Sequence, residues 1–214
     1  TDVDGDGCRD IDEDTDDDGD GVPDSRDDCP TVVGDSTLGE EGCLDTDGDG
    51  WSDNFDDCPT EYGNSTLAGK NACPDMDGDG WADVDDAFDE DPTQWADADG
   101  DGYGDNTAGS TPDECPSVAG TSTADRLGCL DTDGDGYSDP DSQWNTEYGA
   151  DAFIDDATQW SDFDGDGYGD NYANTSWDDR NPSWPGVYRE DVVLQDACPT
   201  KEGTSWQNGL IGCP

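Results

Sequence analysis

A six-residue pattern, Asp-x-Asp-Gly-Asp-Gly or a near variant, occurs seven times in this chain, beginning at Asp2, Asp16, Asp45, Asp75, Asp97, Asp131 and Asp162. A bulky residue, a variable one and then another aspartate follow, as in "GWSD", "GWAD", "GYGD" and "GYSD". Four copies run on to a Cys-Pro, at Cys29, Cys58, Cys115 and Cys198, and two run instead to "DAF" and then a "TQW" that ends at Trp95 or Trp160. Residues 129–213 answer residues 73–129, with insertions. No segment carries a sustained 3.6 or 2.0 apolar period, and Gly, Asp, Asn and Pro recur every few residues, so turns, short bridges and single helical turns are expected.

The repeats make the chain strongly self-repelling: Asp and Glu number 59 against 7 Lys and Arg, for a net charge of -52 over 214 residues, with no histidine. Such a chain cannot compact at neutral pH unless something cancels the charge. With 29% hydrophobic residues it lacks the material for a conventional core of its size. Composition alone equally describes a disordered acidic segment. Against that stands the fixed spacing of cysteines and aromatics from the aspartates, which a solvated tail does not need. The charge also argues against a nucleic-acid partner, and no apolar run approaches the roughly 20 residues of a membrane span.

Aspartates at positions 1, 3 and 5, glycine at 6, Asp at 9 and a carboxylate at 12 form the spacing of a calcium loop. Alternate side chains curl round one point, position 7 contributes its carbonyl, and its side chain is left to pack in a small core. The third loop supplies Asp45, Asp47, Asp49, the carbonyl of Trp51, Asp53 and Asp56; the fourth supplies Asp75, Asp77, Asp79, Trp81, Asp83 and Asp86. The first reads Asp2, Asp4, Asp6, Cys8, Asp10 and Glu13, and the second Asp16, Asp18, Asp20, Val22, Asp24 and Asp27. A shifted register through Asp12, Asp14, Asp16 and Asp18 implies carboxylates shared between neighbouring ions there.

In the last three loops position 12 is Ala108, Ser142 or Ala173, none of them a carboxylate. Each has an insertion before the next aspartate in the matching context, which assigns that role to Asp113, Asp151 and Asp196. Their sets are then Asp97, Asp99, Asp101, Tyr103, Asp105 and Asp113; Asp131, Asp133, Asp135, Tyr137, Asp139 and Asp151; and Asp162, Asp164, Asp166, Tyr168, Asp170 and Asp196. The insertions 143–150 and 171–195 are expected to bulge outward. Without histidine zinc is disfavoured, and magnesium's tight octahedron usually keeps several waters. Several calcium ions are the expected cofactor.

Each Cys-Pro cysteine is followed 14 or 15 residues later by another, and the repetition selects the sequential pairing Cys29–Cys43, Cys58–Cys73, Cys115–Cys129 and Cys198–Cys213. Closing a loop of that size constrains the unfolded chain by about 3 kcal/mol each. Each second cysteine stands just before an acidic loop or at the end of the sequence, so a disulfide joins one site to the next. Cys8 is left over, either a packed thiol or a bond to another chain. This cysteine usage points to an oxidising, extracellular compartment or the cell surface.

The run "DxDxDGxxDxxDxCP", at residues 16–30 and 45–59, resembles the thrombospondin type 3 repeat, and the resemblance extends over nearly the whole chain. It implies calcium ions lining a wire-like core, sequential disulfides between repeats, and an extracellular adhesive or matrix role. The "DAF…TQW" variants and the long insertions depart from the family pattern. The expected fold is therefore mostly irregular, an elongated tandem array of calcium-binding loops stapled by sequential disulfides, with little regular helix or strand. It divides into segments 1–44, 45–74, 75–130 and 131–214.

The opening "TDVDGDG" at Thr1 is expected to belong to a processed form or a fragment, and no stretch of the sequence reads as a signal peptide. Joining the closing "GCP" to that opening reproduces the internal junction at 72–78 with one extra threonine, which leads us to expect head-to-tail assembly of copies into a filament. Asn64 and Asn174 stand in N-glycan acceptor sequences. The reading is a secreted, calcium-rigidified rod rather than an enzyme, since no nucleophile has a base at recognisable spacing. The alternative is an adhesin stalk or binding module whose insertions, with Trp144, Trp177 and Trp184, touch surface glycans or proteins.

Overall fold

The computed structural model describes residues 15–174, 183–207 and 209–214. The first acidic loop (Asp2, Asp4, Asp6, Cys8, Asp10, Glu13), the shifted-register positions Asp12 and Asp14, and Trp177 lie outside the described residues. Among the described residues there is no helix and no extended strand. Four isolated parallel bridges are the whole of the pairing: Leu38 with Trp51, Gly104 with Pro112, Gly169 with Gln195, and Tyr172 with Tyr188. The chain forms two compact units, Thr1–Ala96 and Asp97–Pro214. The boundary falls inside segment 75–130, because the loop at 75–86 closes onto its own arm: Trp81 stacks on Trp95 with ring centroids 6.2 Å apart.

Each acidic loop is held by its own aspartates. In 45–56 the two oxygens of Asp45 accept from the N–H groups of Gly48 and Gly50, both at 2.8 Å. Those glycines stand at φ 83° and 102°, a region closed to most side chains. The Asp53 N–H donates to the Leu44 carbonyl at 2.8 Å and so shuts the loop. The Asp53 carboxylate accepts from the Thr46 N–H and hydroxyl at 2.8 and 2.7 Å. The same backbone closure recurs as Asp24 to Thr15, Asp83 to Pro74, Asp139 to Leu130 and Asp170 to Ser161.

All four expected disulfides form, Cys29–Cys43, Cys58–Cys73, Cys115–Cys129 and Cys198–Cys213. Inside each disulfide loop a glycine five residues after the first cysteine lies against the backbone of the second. A Cβ at Gly34, Gly63, Gly120 or Gly203 would overlap the carbonyl group of Cys43, Cys73, Cys129 or Cys213. Ser36, Ser65 and Ser122 are fully buried, each donating to a carbonyl within its loop and accepting from the N–H of the second cysteine. Three of these loops also reach forward: Thr37 and Leu38 donate to the Gly50 carbonyl, Thr66 and Leu67 to Gly80, and Thr123 and Ala124 to Gly136.

The interior is polar. Its largest fully buried side chains are Gln94, Asn171, Asp113, Asp151, Asp170 and Asp196, while the buried hydrophobic residues are mostly cysteine and alanine. The position-7 rings of Trp51, Trp81, Tyr103, Tyr137 and Tyr168 are partly buried, and two of them join small aromatic pairs, Trp81 with Trp95 and Tyr137 with Trp160.

Replacing Gly63 by alanine forces its Cβ into the Cys73 backbone and is expected to cost about 2 kcal/mol of stability. Gly78→Ala, where a Cβ meets open space but φ is 81°, should cost about 1 kcal/mol. Chemical denaturation of both variants with disulfides intact checks the order; equal losses would contradict the close packing.

Candidate metal centres

The carboxylate triples Asp16–Asp18–Asp20, Asp45–Asp47–Asp49, Asp75–Asp77–Asp79 and Asp97–Asp99–Asp101 each bring one oxygen per residue within 4.8 Å of the others. Cys29, Glu40 and Cys43 satisfy the same distance, but the two cysteines are bonded to each other, leaving one carboxylate and no thiolate.

Within a loop the aspartates divide the work. Position 1 spends both oxygens on the turn, at 2.7–3.1 Å from the two glycine N–H groups in all six described loops. Position 5 accepts at Oδ1 from the N–H of residue 7: Asp20 from Val22, Asp49 from Trp51, Asp79 from Trp81, Asp101 from Tyr103, Asp135 from Tyr137 and Asp166 from Tyr168. Position 3 is different. Oδ2 of Asp18, Asp47, Asp77, Asp99, Asp133 and Asp164 is buried and accepts no hydrogen bond. An ionised oxygen left that way is costly unless a cation meets it.

The aspartates placed across insertions come back to their loops. Asp113, Asp151 and Asp196 are 1–2% exposed, and each accepts at Oδ1 from the N–H two residues on, Cys115, Phe153 or Cys198, at 2.7 Å. Their Oδ2 atoms are buried and unbonded, as is that of Asp27. Asp113 feels the charges of Asp101, Asp99 and Asp105; Asp151 those of Asp135, Asp133 and Asp139; Asp196 those of Asp166, Asp164 and Asp170. Asp56 and Asp86 likewise sit against the aspartates of their own loops. The position-12 aspartates thus lie in the field of the aspartates of their own loops.

Sequence reasoning missed the disulfide-loop glycine as part of the site. The N–H groups of Gly34, Gly63, Gly120 and Gly203 donate to Oδ2 of Asp20, Asp49, Asp101 and Asp166 at 3.1, 3.2, 2.9 and 3.0 Å. The signal was present in the shared "CP[TS]xxG" start of each disulfide loop. The disulfide is therefore tied backward to the preceding carboxylates as well as forward to the next loop.

Insertion 143–150 is pinned rather than free. Arg126 lies 5.5 Å over the Trp144 ring and bonds Asp141 at 2.7 Å, while the Trp144 indole N–H reaches Asp125 at 3.0 Å. The Gln143 N–H, then Arg126 and the Trp144 N–H, hold the Asp141 carboxyl down at about 2. Trp184 is half-buried. Asn64 and Asn174 are exposed; Thr175 and Ser176 of the second acceptor sequence lie outside the described residues.

The donor set is oxygen only, anionic, and in each described loop includes a buried oxygen lacking any donor. That fits a hard cation, with the aspartates at positions 1, 3, 5, 9 and 12 as the candidates to hold it. No protein-family model matches the chain, and no curated protein matches it either.

Burial, and then the neighbouring carboxylates, raise Asp113 to about 6 and Asp151 and Asp196 to about 7; Asp135 and Asp170 rise to about 6. A raised carboxylate favours the cation-free fold below the unfolded value near 3.8 and withdraws that stability as pH climbs through 6 to 7. Cation binding runs the opposite way, since it needs the ionised form. Metal affinity of loop 131–151 should fall at least about tenfold between pH 7.5 and 5.5. Titrations at the two pH values check this; a pH-independent affinity would contradict the buried carboxylates.

Proposed function

We propose that this chain is an extracellular structural segment, a tandem array of calcium sites made rigid by metal and disulfides together. The observation that carries it is the buried, donor-free Oδ2 at position 3 of every described loop, beside other carboxylates of the same turn. Calcium suits the arrangement because it takes six to eight oxygens at about 2.3–2.6 Å in flexible geometry. The four disulfides are chemistry of an oxidising compartment. No helix among the described residues is long and apolar enough to cross a membrane. The resemblance to thrombospondin type 3 repeats supports the same reading through the loop motif and its Cys-Pro.

Head-to-tail filament formation extends the proposal. The edge by which loops 29–43, 58–73 and 115–129 bind a glycine carbonyl of the following acidic loop corresponds in 198–213 to Trp206 and Gln207. Trp206 is 81% exposed. An acidic loop of another copy matches that edge in kind.

The adhesin reading draws less support from the tryptophans, since Trp144 is engaged by Arg126 and Asp125. Tyr148, 64% exposed in the same insertion, is the better contact for a surface partner.

A calcium titration followed by small-angle scattering and thermal unfolding tests the function. Calcium at 100 times its dissociation constant should stabilise by about 2.7 kcal/mol per site and contract an expanded chain, with magnesium much less effective. A profile unchanged by calcium and by chelator would overturn it.

A further inference from the structure

The position-5 aspartates divide the described loops into two kinds. In loops followed by a disulfide, Oδ2 of Asp20, Asp49, Asp101 and Asp166 accepts from the N–H of Gly34, Gly63, Gly120 and Gly203. In the two loops followed by a "DAF…TQW" arm no such glycine exists, and Oδ2 of Asp79 and Asp135 is buried without a donor.

The N–H groups of Phe88 and Phe153 donate to Asp86 and Asp151, both at 2.7 Å, just as the Cys-Pro cysteines donate to Asp27, Asp56, Asp113 and Asp196 in the first class. Beyond that shared bond the arm covers these loops by other means. The N–H groups of Ala87 and Ala152 donate to the carbonyls of Trp95 and Trp160 at 3.3 and 3.1 Å, which brings each indole back over its loop. Trp95 stacks on Trp81, and Trp160 on Tyr137 with centroids 4.9 Å apart. Gln159, 2% exposed, continues to the next acidic loop: its amide accepts from the Asn171 N–H at 2.9 Å and donates to the Asn171 carbonyl at 3.1 Å. No sulfur takes part.

We propose that the chain carries two chemically distinct classes of hard-cation site, and that 75–86 and 131–151 form the tighter class, in which the position-5 carboxylate meets the ion through an oxygen bearing no hydrogen bond. The inference rests on the calcium reading above and deepens it. An N–H on a carboxylate oxygen competes with a cation for its lone pairs and fixes its direction. Asp79 and Asp135 are spared that competition at Oδ2. Both loops of the second class still accept from a preceding disulfide loop, Thr66 and Leu67 donating to the Gly80 carbonyl and Thr123 and Ala124 to that of Gly136, so the classes differ at the position-5 carboxylate. Arg189, stacked 5.5 Å over Trp160, also acts on the charge of Asp135, so Asp79 is the cleaner reporter.

The test compares D79N/D135N with D49N/D101N in the full chain with its disulfides intact, counting bound calcium by equilibrium dialysis at saturating and at limiting calcium. At saturation each double variant should lose about one ion per substituted loop. At limiting calcium the D79N/D135N loss should be the larger. Equal losses at limiting calcium, or a larger loss in D49N/D101N, would overturn the two-class proposal. Failure of the calcium reading looks different: the oxidised, unsubstituted chain then takes up no saturable calcium, which overturns both.

Discussion

The constraint on which everything else depends is the burial of like charge. Each described acidic loop turns its carboxylates toward one point, and the hydrogen bonds available there do not satisfy them. Position 1 is tied to the turn's glycines, position 5 to the backbone ahead of it, and position 3 keeps a bare oxygen inside. In the low-dielectric surroundings of a buried site such oxygens repel each other and the unpaired charge is expensive. Protons relieve this as pH falls through the raised values of Asp151 and Asp196, about 7; a cation relieves it once those carboxylates are ionised.

The same constraint explains why the interior lacks a hydrophobic core. A turn that wraps backbone and carboxylates around one point is polar within, and the position-7 aromatics are only partly buried. What joins one turn to the next is then either a covalent bond or a small set of directed contacts. The disulfide loops use both, with a buried serine holding each of Cys43, Cys73 and Cys129 and a glycine reaching back to the preceding aspartate. The "TQW" arms replace sulfur by a stacked ring and a buried glutamine.

Much of this was legible before any coordinates. Alternate aspartates interrupted by glycine specify a tight turn from local chemistry alone, and the repeated Cys-Pro spacing selected the disulfide pairing that the structure contains. Asp113, Asp151 and Asp196 were reachable across their insertions because the residues after them, "ECP", "AF" and "ACP", match the shorter loops. Less legible were the contacts that depend on two backbones meeting. Gly63 looks like any loop glycine until the Cys73 carbonyl is seen where its Cβ would be. The burial of Gln159 depends on Asn171 of the next loop, and nothing in "TQW" announces that partner.

Amide hydrogen exchange, with and without calcium at neutral pH and disulfides intact, tests the central claim most directly. The N–H groups of Gly48, Gly50, Gly63 and Gly120 end on metal-loop carboxylates, so their protection depends on those carboxylates being held in place. The account predicts strong protection of all four with calcium and its loss on chelation, although every disulfide remains. Protection that survives chelation unchanged would mean that the carboxylates are organised without a cation, and would contradict the account.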